Sequence, residues 1–578
     1  MKTTKNIARL AVTAGLTAAL SFGGAMAPVT MAFAEDTAAT TNGSVTIANV
    51  EGNHTEFDGY QIFKADVATV EGKTVVSNIT WANGSVKAAV EGVIKNEEPT
   101  YKGKTAQDAA DWITSKVTGT NDAYCVGPDN IAYKIAAAVD DLTDKKKTSA
   151  GVASGLEHGY WLFVTNADTI DDGEAGTSPI FTVVGSAPVE ITEKTGIPTV
   201  EKKILDDNKV KDNITAVPAR DWSDVADSQI GQEINYKLTG TIADNYATYD
   251  SYAYKFTDVL SDGLDYVGNS VEVYAFDGTN YEKIDAGKYD VKWANKTLTV
   301  EFKVDEGKNK NGLKDVVGVN AQTQIVVFYR AKLNANAVIA GANGGLGGNP
   351  NTVTLTYSNN PMSGGTGTSA PDTVKDYTYG LKINKVDLGT EKALEGAKFT
   401  IAAGDTTNGD ENSASVKYVN SDGTLSDSKV ELPTGPDGVI TLTGLDAGVY
   451  TVTETSAPDG YTKVEPFTFE IEPTMNAIDP NAGLTALSGT LDSKNQSDKV
   501  IAGLTDGDAG DNRLTAQTDS EKVTDGYFNI TVGDTKQIKL PLTGLNGVTF
   551  TWIAGGAVLC IGVAHLIRSR KRDDGSEE

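Results

Sequence analysis

The middle of the chain is a succession of short segments in which apolar and polar residues alternate. Alternation with a period of two is typical of strands that bury one face, and turns rich in Gly, Asn and Asp separate these segments. This spacing favours an all-β sandwich, so we expect a mainly β protein. The segments are Glu233–Leu238, Tyr254–Val259, Val271–Phe276, Thr297–Val304, Gln324–Leu333 and Thr352–Tyr357.

Cysteine usage removes one common source of stability. Of the 2 cysteines, Cys560 falls in an apolar run near the C-terminus, which leaves only Cys125 elsewhere. A single thiol cannot form an internal disulfide, so the folded part must be stabilised in another way. The hydrophobic content of 39% permits buried cores, and the net charge of −28 argues against nucleic acid as a partner, because phosphate contacts need clustered Lys and Arg.

Both ends of the chain carry export signals. Residues 1–34 have the pattern of a cleaved signal peptide, with a basic start, an apolar stretch and the site Ala32-Phe33-Ala34, or alternatively Ala25-Met26-Ala27. Residues 548–567 carry no formal charge and are long enough to cross the ~30 Å bilayer core as a transmembrane helix. The basic cluster that follows should keep the tail 568–578 cytoplasmic, so the rest of the mature chain is expected outside the cell.

Composition and periodicity divide the exported part into three domains. An N-terminal domain mixes strands with helical patterns at Thr105–Val117 and Asn130–Thr143, and Asn130 is a plausible N-cap. The predicted boundaries are 44–193 for this domain, 197–361 for a middle β-sandwich, 362–379 for a linker, and 380–533 for a third β-sandwich with a long polar insertion at 473–526 that we expect to be exposed.

Three motifs resemble those of sortase-assembled pilins of Gram-positive bacteria. The sequence Leu540-Pro541-Leu542-Thr543-Gly544, followed by the apolar run and the basic tail, resembles the LPxTG sorting signal. The segment Tyr450–Tyr461 resembles the pilin E-box, and Lys385-Val386-Asp387 with Leu394–Phe399 is similar to the opening of a collagen-adhesin B-type domain. The preceding domain, with Pro198–Lys203, Thr257–Leu260 and Tyr357–Pro361, resembles the fimbrial D2 domain of backbone pilins.

The resemblance implies tandem immunoglobulin-like β-sandwiches of the collagen-adhesin type in a structural shaft subunit. A sortase cysteine would cut between Thr543 and Gly544 and pass the Thr543 acyl group to an amine. The partners would be the sortase, further copies of the chain, minor pilins, peptidoglycan through Thr543, and possible host surface ligands. The alternative is a monomeric wall-anchored adhesin, or a tip or base pilin, which carries the same sorting signal.

The resemblance also implies intramolecular isopeptide bonds, in which a Lys on the first strand joins an Asn on the last strand beside an acidic residue. Burial lowers the pKa of a Lys and raises that of a carboxyl, so a core can supply the neutral amine and protonated acid that this reaction needs. For the third domain the implied residues are Lys385, Glu454 and Asn529. For the middle domain they are Lys203 (or Lys202), Asp258 and Asn351, with Asn349 and Asn359 as less favoured acceptors.

Backbone pilins place the acceptor amine for polymerisation just before the second domain. Here the corresponding segment is Val189–Thr195, in which Lys194 is the implied polymerisation lysine and Lys202 the backup. The 3 histidines are scattered, and the acidic run from Asp506 to Asp511 has Gln517 where a calcium loop needs an acid. We therefore expect no metal, no cofactor and no enzymatic activity.

Overall fold

The computed structural model describes residues 42–536, apart from residues 71–72, 117–128, 194, 211, 306–309, 341–346, 363, 405, 407–415, 482, 492–500, 505–512 and 517–526. The described chain forms three successive β-rich domains with their own buried cores, so the mainly β prediction is confirmed. The signal peptide, the sorting motif at 540–544, the transmembrane helix and the cytoplasmic tail lie outside the described residues. Within the described residues, no helix is both long and apolar enough to span a bilayer.

The first domain combines two sheets with three helices. One sheet has the order β5-β1-β8, and the other has the order β3-β2-β6-β7 with β4 beside β2. The strands are β1 (Gly43–Ala48), β2 (Phe57–Val70), β3 (Lys73–Trp81), β4 (Lys146–Lys147), β5 (Val152–Leu156), β6 (Gly159–Thr165), β7 (Ile180–Val184) and β8 (Val189–Thr192). The helices are α1 (Gly84–Glu97), α2 (Ala106–Lys116) and α3 (Ile131–Val139), and their apolar faces share one core with β2 and β6.

Two of these helices follow the sequence prediction. The Asn130 side chain caps α3 by accepting a hydrogen bond from the Ala132 backbone N–H at 2.9 Å. The sequence reading missed α1, although Asn83 caps it in the same way, with Oδ1 2.8 Å from the Val86 nitrogen. Its buried residues Val86, Val90 and Ile94 recur every fourth position, which is the signal that identifies this helix.

The middle domain is a sandwich of two seven-stranded sheets. One has the order β10-β9-β12-β21-β15-β16 with β14 beside β21, and the other has the order β11-β24-β22-β13-β18-β17 with β23 beside β22. The strands are β9 (Val200–Leu205), β10 (Trp222–Ser223), β11 (Val225–Asp227), β12 (Glu233–Gly240), β13 (Tyr254–Leu260), β14 (Leu264–Tyr266), β15 (Glu272–Phe276), β16 (Tyr281–Lys283), β17 (Tyr289–Ala294), β18 (Thr297–Phe302), β19 (Val304–Asp305), β20 (Lys310–Asn311), β21 (Gln324–Leu333), β22 (Asn349–Ser358), β23 (Thr366–Thr368) and β24 (Asp372–Tyr377).

The third domain is also a two-sheet sandwich. Its sheets have the orders β30-β25-β37-β32, with β35 beside β37, and β28-β27-β26-β31-β33-β34-β36, with β29 beside β26. The strands are β25 (Tyr379–Asp387), β26 (Lys398–Ala403), β27 (Lys417–Val419), β28 (Leu425–Ser426), β29 (Leu432–Pro433), β30 (Val439–Leu445), β31 (Gly448–Ser456), β32 (Tyr461–Thr462), β33 (Phe467–Met475), β34 (Leu484–Leu491), β35 (Ile501–Leu504), β36 (Arg513–Ala516) and β37 (Tyr527–Lys536). The first and last strands, β25 and β37, lie side by side and run parallel.

Short 3-10 helices complete the described secondary structure. They are Ala167–Thr169, Asp207–Lys209, Ile214–Ala216, Ala219–Asp221, Tyr246–Thr248, Ala286–Lys288 and Leu313–Asp315.

Two boundary predictions need correction. Residues 362–379 are not a linker, because β23 and β24 both pair with β22 and so belong to the middle sandwich. The predicted insertion at 473–526 is not wholly exposed, because β34 pairs with β33 and buries Leu484 and Leu487 in the third core. The segment has a polar composition overall, but the apolar side chains of β34 that face the core are enough to bury this strand.

The domains meet through hydrogen bonds between buried or partly buried groups. The Gly176 N–H donates to the Asn359 carbonyl at 2.6 Å, which joins the first domain to the middle one. The Ile230 N–H donates to the Gly444 carbonyl at 2.9 Å, and the Gln229 Oε1 accepts from the Asp446 N–H at 3.1 Å, which joins the middle domain to the third.

Candidate functional site

The first strand of the middle domain carries two adjacent lysines with opposite environments. Burial alternates along β9, so that Lys202 has no exposed surface while the Lys203 side chain is 23% exposed. Lys203 pairs with the buried Asp224 at the edge of the core, with 2.5 Å between Nζ and Oδ1. The structure therefore corrects the choice of Lys203, because the lysine that faces the core is Lys202.

Lys202 lies in a closed polar cluster at the centre of the middle core. Its Nζ donates to both carboxylate oxygens of Asp258, at 2.7 and 2.6 Å, and to the Tyr329 hydroxyl at 2.9 Å. The Asn351 Nδ2 donates to the same hydroxyl at 2.6 Å, and Tyr329 itself donates to Asp258 at 2.5 Å. The predicted Asp258 and Asn351 are thus brought to one lysine, and Tyr329 is a member that the sequence reading missed.

Burial sets the electrostatics of this cluster. Desolvation lowers the pKa of Lys202 to about 8, although the Asp258 charge opposes the shift. Desolvation also raises the pKa of Asp258, against the opposing effect of Lys202. The Tyr236 and Tyr329 rings stack with centroids 5.1 Å apart, and both lie 5.2 Å from the lysine Nζ, so the cluster is walled by aromatic rings. Compared with the same groups in water, this site favours the neutral amine of Lys202 and the protonated carboxyl of Asp258.

The other predicted acceptors lie elsewhere. Asn349 is buried, but its Oδ1 accepts from the Val338 N–H at 2.9 Å and its Nδ2 donates to the carbonyls of Val338 and Asp376. Asn359 contributes its backbone carbonyl to the junction with the first domain. In the cluster around Lys202, Asn351 is the asparagine present, and its Oδ1 is buried without a hydrogen-bond partner.

The third domain holds a second buried lysine on its first strand. Lys385 has no exposed surface, because its position on β25 shares the inward face with Leu381 and Ile383. Its Nζ donates to the Glu454 Oε2 at 3.0 Å and to the Asp534 Oδ1. The sequence prediction of Lys385 with Glu454 therefore agrees with this geometry.

Asn529 does not meet this lysine, which corrects the third predicted residue. Phe528, Ile530 and Val532 face the core along β37, so Asn529 faces the opposite side, where it aligns with Lys382 and donates to the Tyr527 carbonyl at 3.1 Å. Asp534 is on the inward face and reaches Lys385 instead. Asp534 continues the every-second-residue pattern of Phe528, Ile530 and Val532, and this alternation was the sequence signal that could have identified it.

Two buried carboxyl groups surround one amine in the third cluster. Burial raises the pKa of Asp534 to about 6, and the Glu454 charge acts in the same direction while Lys385 opposes it. The Asp534 Oδ2 and the Glu454 Oε1 have no hydrogen-bond partner, and the Val464 N–H donates to the Glu454 Oε2 at 2.8 Å. One cation cannot neutralise two carboxylates in a core, so this arrangement favours a proton on one of them.

The chemistry available to both clusters is amide formation. In the third cluster the sealed Lys385 amine contacts two carboxyl groups from other strands, and in the middle cluster the Lys202 amine and the Asn351 amide share the Tyr329 hydroxyl beside the Asp258 carboxyl. An ordinary ion pair of this chain looks different. Lys145 and Asp58 are 2.7 Å apart, but the Lys145 side chain is 29% exposed and therefore hydrated.

The predicted polymerisation lysine, Lys194, lies outside the described residues, but its two neighbours are held firmly. Glu193 accepts hydrogen bonds from the Asn53 Nδ2 at 2.7 Å and the Val50 N–H at 2.8 Å, and Thr195 donates to the Gly176 carbonyl at 3.2 Å. The backup, Lys202, is contradicted as an acceptor for another molecule, because it has no exposed surface.

Comparison with known proteins agrees with the resemblance to Gram-positive pilins. Residues 380–481 match the family model described as SpaA, prealbumin-like fold domain. The Trypsin-resistant surface T6 protein of Streptococcus pyogenes serotype M6 is 25% identical over 247 residues, and this match spans 40% of each chain. The residues 380–481 are thus similar to a SpaA-type domain, and the curated match leaves more than half of the relative's length uncovered.

Two solved structures are similar to this chain over most of their length. The T6 backbone pilin of serotype M6 Streptococcus pyogenes has 16% identity and a TM-score of 0.47, covering 86% of this chain and 99% of that one. The major pilin SpaD from Corynebacterium diphtheriae has 17% identity and a TM-score of 0.44, covering 86% of this chain and 98% of that one.

Proposed function

We propose that this chain is the shaft subunit of a covalent, sortase-assembled pilus, with a structural rather than enzymatic role. The observation that carries the proposal is the repeated cluster in two consecutive sandwiches. In each, a lysine of the first strand is sealed in the core against an acid and an acceptor from a late strand. Such clusters suit a protein that must resist pulling without disulfides.

In the third domain the proposed bond joins Lys385 to Asp534. The neutral Nζ attacks the protonated Asp534 carboxyl carbon, an N–C bond forms, and a C–O bond breaks. Glu454 takes the proton from the attacking nitrogen and gives a proton to the leaving hydroxyl, so the step releases one water. An aspartate acceptor therefore releases water, whereas the implied asparagine would have released ammonia.

In the middle domain the proposed bond joins Lys202 to Asn351. The neutral Nζ attacks the Asn351 side-chain carbon, the new N–C bond replaces the amide C–N bond, and one ammonia leaves. Asp258 moves the proton from the attacking amine to the departing nitrogen. Tyr329, which binds all three groups, holds the amine and the amide on one hydroxyl and thus positions them.

These bonds would give the subunit a continuous covalent load path. Lys202 and Asn351 are 351 − 202 = 149 residues apart, and Lys385 and Asp534 are also separated by 149 residues. If an isopeptide bond constrains the unfolded chain as a disulfide does, closing each loop would stabilise the fold by about 5 kcal/mol. Force on the chain ends would then pass through the cross-linked strands and could not separate the sandwiches strand by strand.

Assembly would join subunits head to tail. A sortase would cleave after Thr543, hold it as a thioester and transfer it to Lys194 of the next copy, or to peptidoglycan at the base. The subunit would then be covalently attached at the cell surface after transient membrane anchoring. The choice of Lys194 as the acceptor is supported by its two neighbours, because Glu193 and Thr195 are each held by hydrogen bonds to the first domain.

A denaturing gel of wall material from the source cells tests this proposal. A ladder of high-mass species that survives boiling in detergent is expected from the wild type and from Lys209→Ala, an exposed-lysine control. Lys194→Ala should leave folded monomer without the ladder. A single monomer-sized band from the wild type would instead favour the runner-up, a wall-anchored monomeric adhesin.

A further inference from the structure

The strand β17 of the middle domain has a hydrogen-bonded neighbour on one side only. It is the last strand in the sheet order β11-β24-β22-β13-β18-β17, and among the described strands it pairs with β18 alone. The Lys303 N–H donates to the Lys288 carbonyl at 3.0 Å, in the same register as the β17–β18 ladder. Because successive residues of a strand direct their backbone groups to opposite sides, the N–H and C=O groups of Tyr289, Val291 and Trp293 face away from β18. They are therefore available to another strand.

One face of β17 is apolar and only partly covered. Tyr289, Val291 and Trp293 lie on the face that continues the core, because each stands opposite a buried apolar residue of β18. Tyr289 is buried, but Val291 and Trp293 are 39% and 36% exposed. The Trp293 ring packs against the Tyr266 ring with the centroids 5.7 Å apart, and the rest of it extends past the end of the core. A strand added beside β17 would cover this apolar surface.

The other face of β17 carries an acid and a base two residues apart. Asp290 stands opposite Glu301 on β18, which is a like charge, and lies 3.4 Å from the exposed amine of Lys303. Lys292 stands opposite Thr299, and the described residues provide no ion-pair partner for it. The charges at this edge are therefore weakly compensated within one chain, and a strand with the matching charges would compensate them better.

The sequence of β17 is complementary to itself in an antiparallel arrangement. When Val291 of one copy stands opposite Val291 of another, each Asp290 stands opposite a Lys292, and each Tyr289 stands opposite a Trp293. Directly opposed residues share one face of a sheet, so apolar side chains meet apolar ones and acids meet bases. The same register places the unpaired backbone groups of the odd-numbered residues opposite each other, as an antiparallel ladder requires. The two copies are then related by a two-fold axis.

The other edge strands of the middle sandwich lack this combination. β10 has two residues, and β11 and β16 have three each. Short edge strands are one of the ways in which proteins prevent pairing between molecules. β17 has six residues and keeps one register with β18 over its whole length. It is thus the edge of this domain that is long and regular enough to accept a further strand.

We propose that β17 is an interaction surface for a second copy of this chain, whose own β17 pairs with it and joins two seven-stranded sheets into one. The contact is non-covalent and involves neither isopeptide cluster nor the sorting motif, so it goes beyond the proposed function. One pair of six-residue strands is expected to bury less than the roughly 1,200 Å² of a stable interface, so two free chains should associate weakly. In a polymer the contact would recur in every subunit, and many weak contacts would hold shafts side by side.

Charge-swapped variants of the mature chain test both the contact and its register. Sedimentation equilibrium should show the wild type in a concentration-dependent equilibrium between monomer and dimer. Asp290→Lys and Lys292→Asp should each raise the dissociation constant about tenfold, because like charges then stand opposite each other at two positions. An equimolar mixture of the two variants should recover the wild-type association as a heterodimer, since every lysine again faces an aspartate. Asp459→Lys and Lys463→Asp make the same charge changes at exposed positions of the third domain and should associate like the wild type.

Each other result of this experiment overturns the inference. A wild type that stays monomeric at every concentration has no such contact. A dimer that both single variants form as readily as the wild type uses another surface. Loss of association in the single variants without recovery in their mixture contradicts the antiparallel register, and it also excludes a general effect of net charge when the two third-domain controls still associate. The denaturing gel of wall material reports covalent linkage alone, so failure of this inference and failure of the proposed function are distinguished.

Discussion

Lys385 and Asp534 are separated by 149 residues and are in direct contact in the core of the third domain, where neither side chain is exposed. They lie on β25 and β37, which are parallel neighbours, so the contact joins the two ends of one sandwich. Because the proposed acceptor is an aspartate and not the implied Asn529, condensation here would release water. The leaving group therefore reports which acceptor reacts.

Intact mass should show the mature protein lighter than its sequence by one ammonia and one water. Asp534→Asn should still close the bond but lose a second ammonia in place of the water, because the new amide has a different leaving group. Asn529→Ala should leave both losses unchanged, since Asn529 faces away from Lys385. The assignment of Asp534 as the acceptor would be contradicted if Asn529→Ala abolished the mass loss of the third domain and Asp534→Ala retained it.

The two adjacent lysines of β9 should behave differently. Lys202→Ala should abolish the ammonia loss and remove about 5 kcal/mol of cross-link stabilisation, which urea denaturation of the middle domain would measure. Lys203→Ala removes a partly exposed ion pair and should change the free energy of unfolding by about 1 kcal/mol or less, with the ammonia loss retained. Retention of the ammonia loss in Lys202→Ala would refute Lys202 as the donor.

The sequence predicted the sandwich class, two helices and most members of both clusters, but side-chain direction decided the rest. Val200 is apolar at one end of β9 and Ile204 and Leu205 are adjacent apolar residues at the other, so alternation cannot say whether Lys202 or Lys203 faces the core. Along β37 the alternation of Phe528, Ile530 and Val532 already places Asp534 on the inward face and Asn529 on the outward face. Strand pairing over long separations, such as that of β25 with β37, has no local sequence signal.

Glu454 should be needed for the third-domain bond alone. Its Oε2 binds Lys385 and is held by the Val464 N–H, which places it to move protons during condensation. Glu454→Gln keeps the shape but cannot take up the proton, so the water loss should disappear or slow by at least tenfold while the ammonia loss persists. Asp258→Asn is the matched variant, in which the ammonia loss should disappear or slow while the water loss persists. Intact mass measured at successive times after refolding distinguishes the two variants.

The junction between the middle and third domains should weaken as the pH rises. Burial raises the pKa of Asp227 to about 7 and that of Asp446 to about 8, and the Asp227 charge adds to the shift of Asp446. The charges of Asp206 and Asp207 raise both pKa values further, and a hydrogen bond from Tyr379 opposes the shift of Asp227. The two carboxyl charges in turn raise the pKa values of the neighbouring Asp376 and Tyr450. Because the folded state holds protons that the unfolded state loses near pH 4, stability should fall as the pH rises from about 4 to about 8.

Hydrogen exchange of the Ile230 and Asp446 amides, corrected for the intrinsic rate, measures this effect, since both amides donate across the junction. Protection at pH 6 should exceed that at pH 9 by a free energy of more than about 1 kcal/mol. Asp446→Asn should flatten the dependence by removing a titrating group, whereas Asp459→Asn, at an exposed position, should not. A wild-type protection that is independent of pH would show that both carboxyl groups titrate normally in the folded protein.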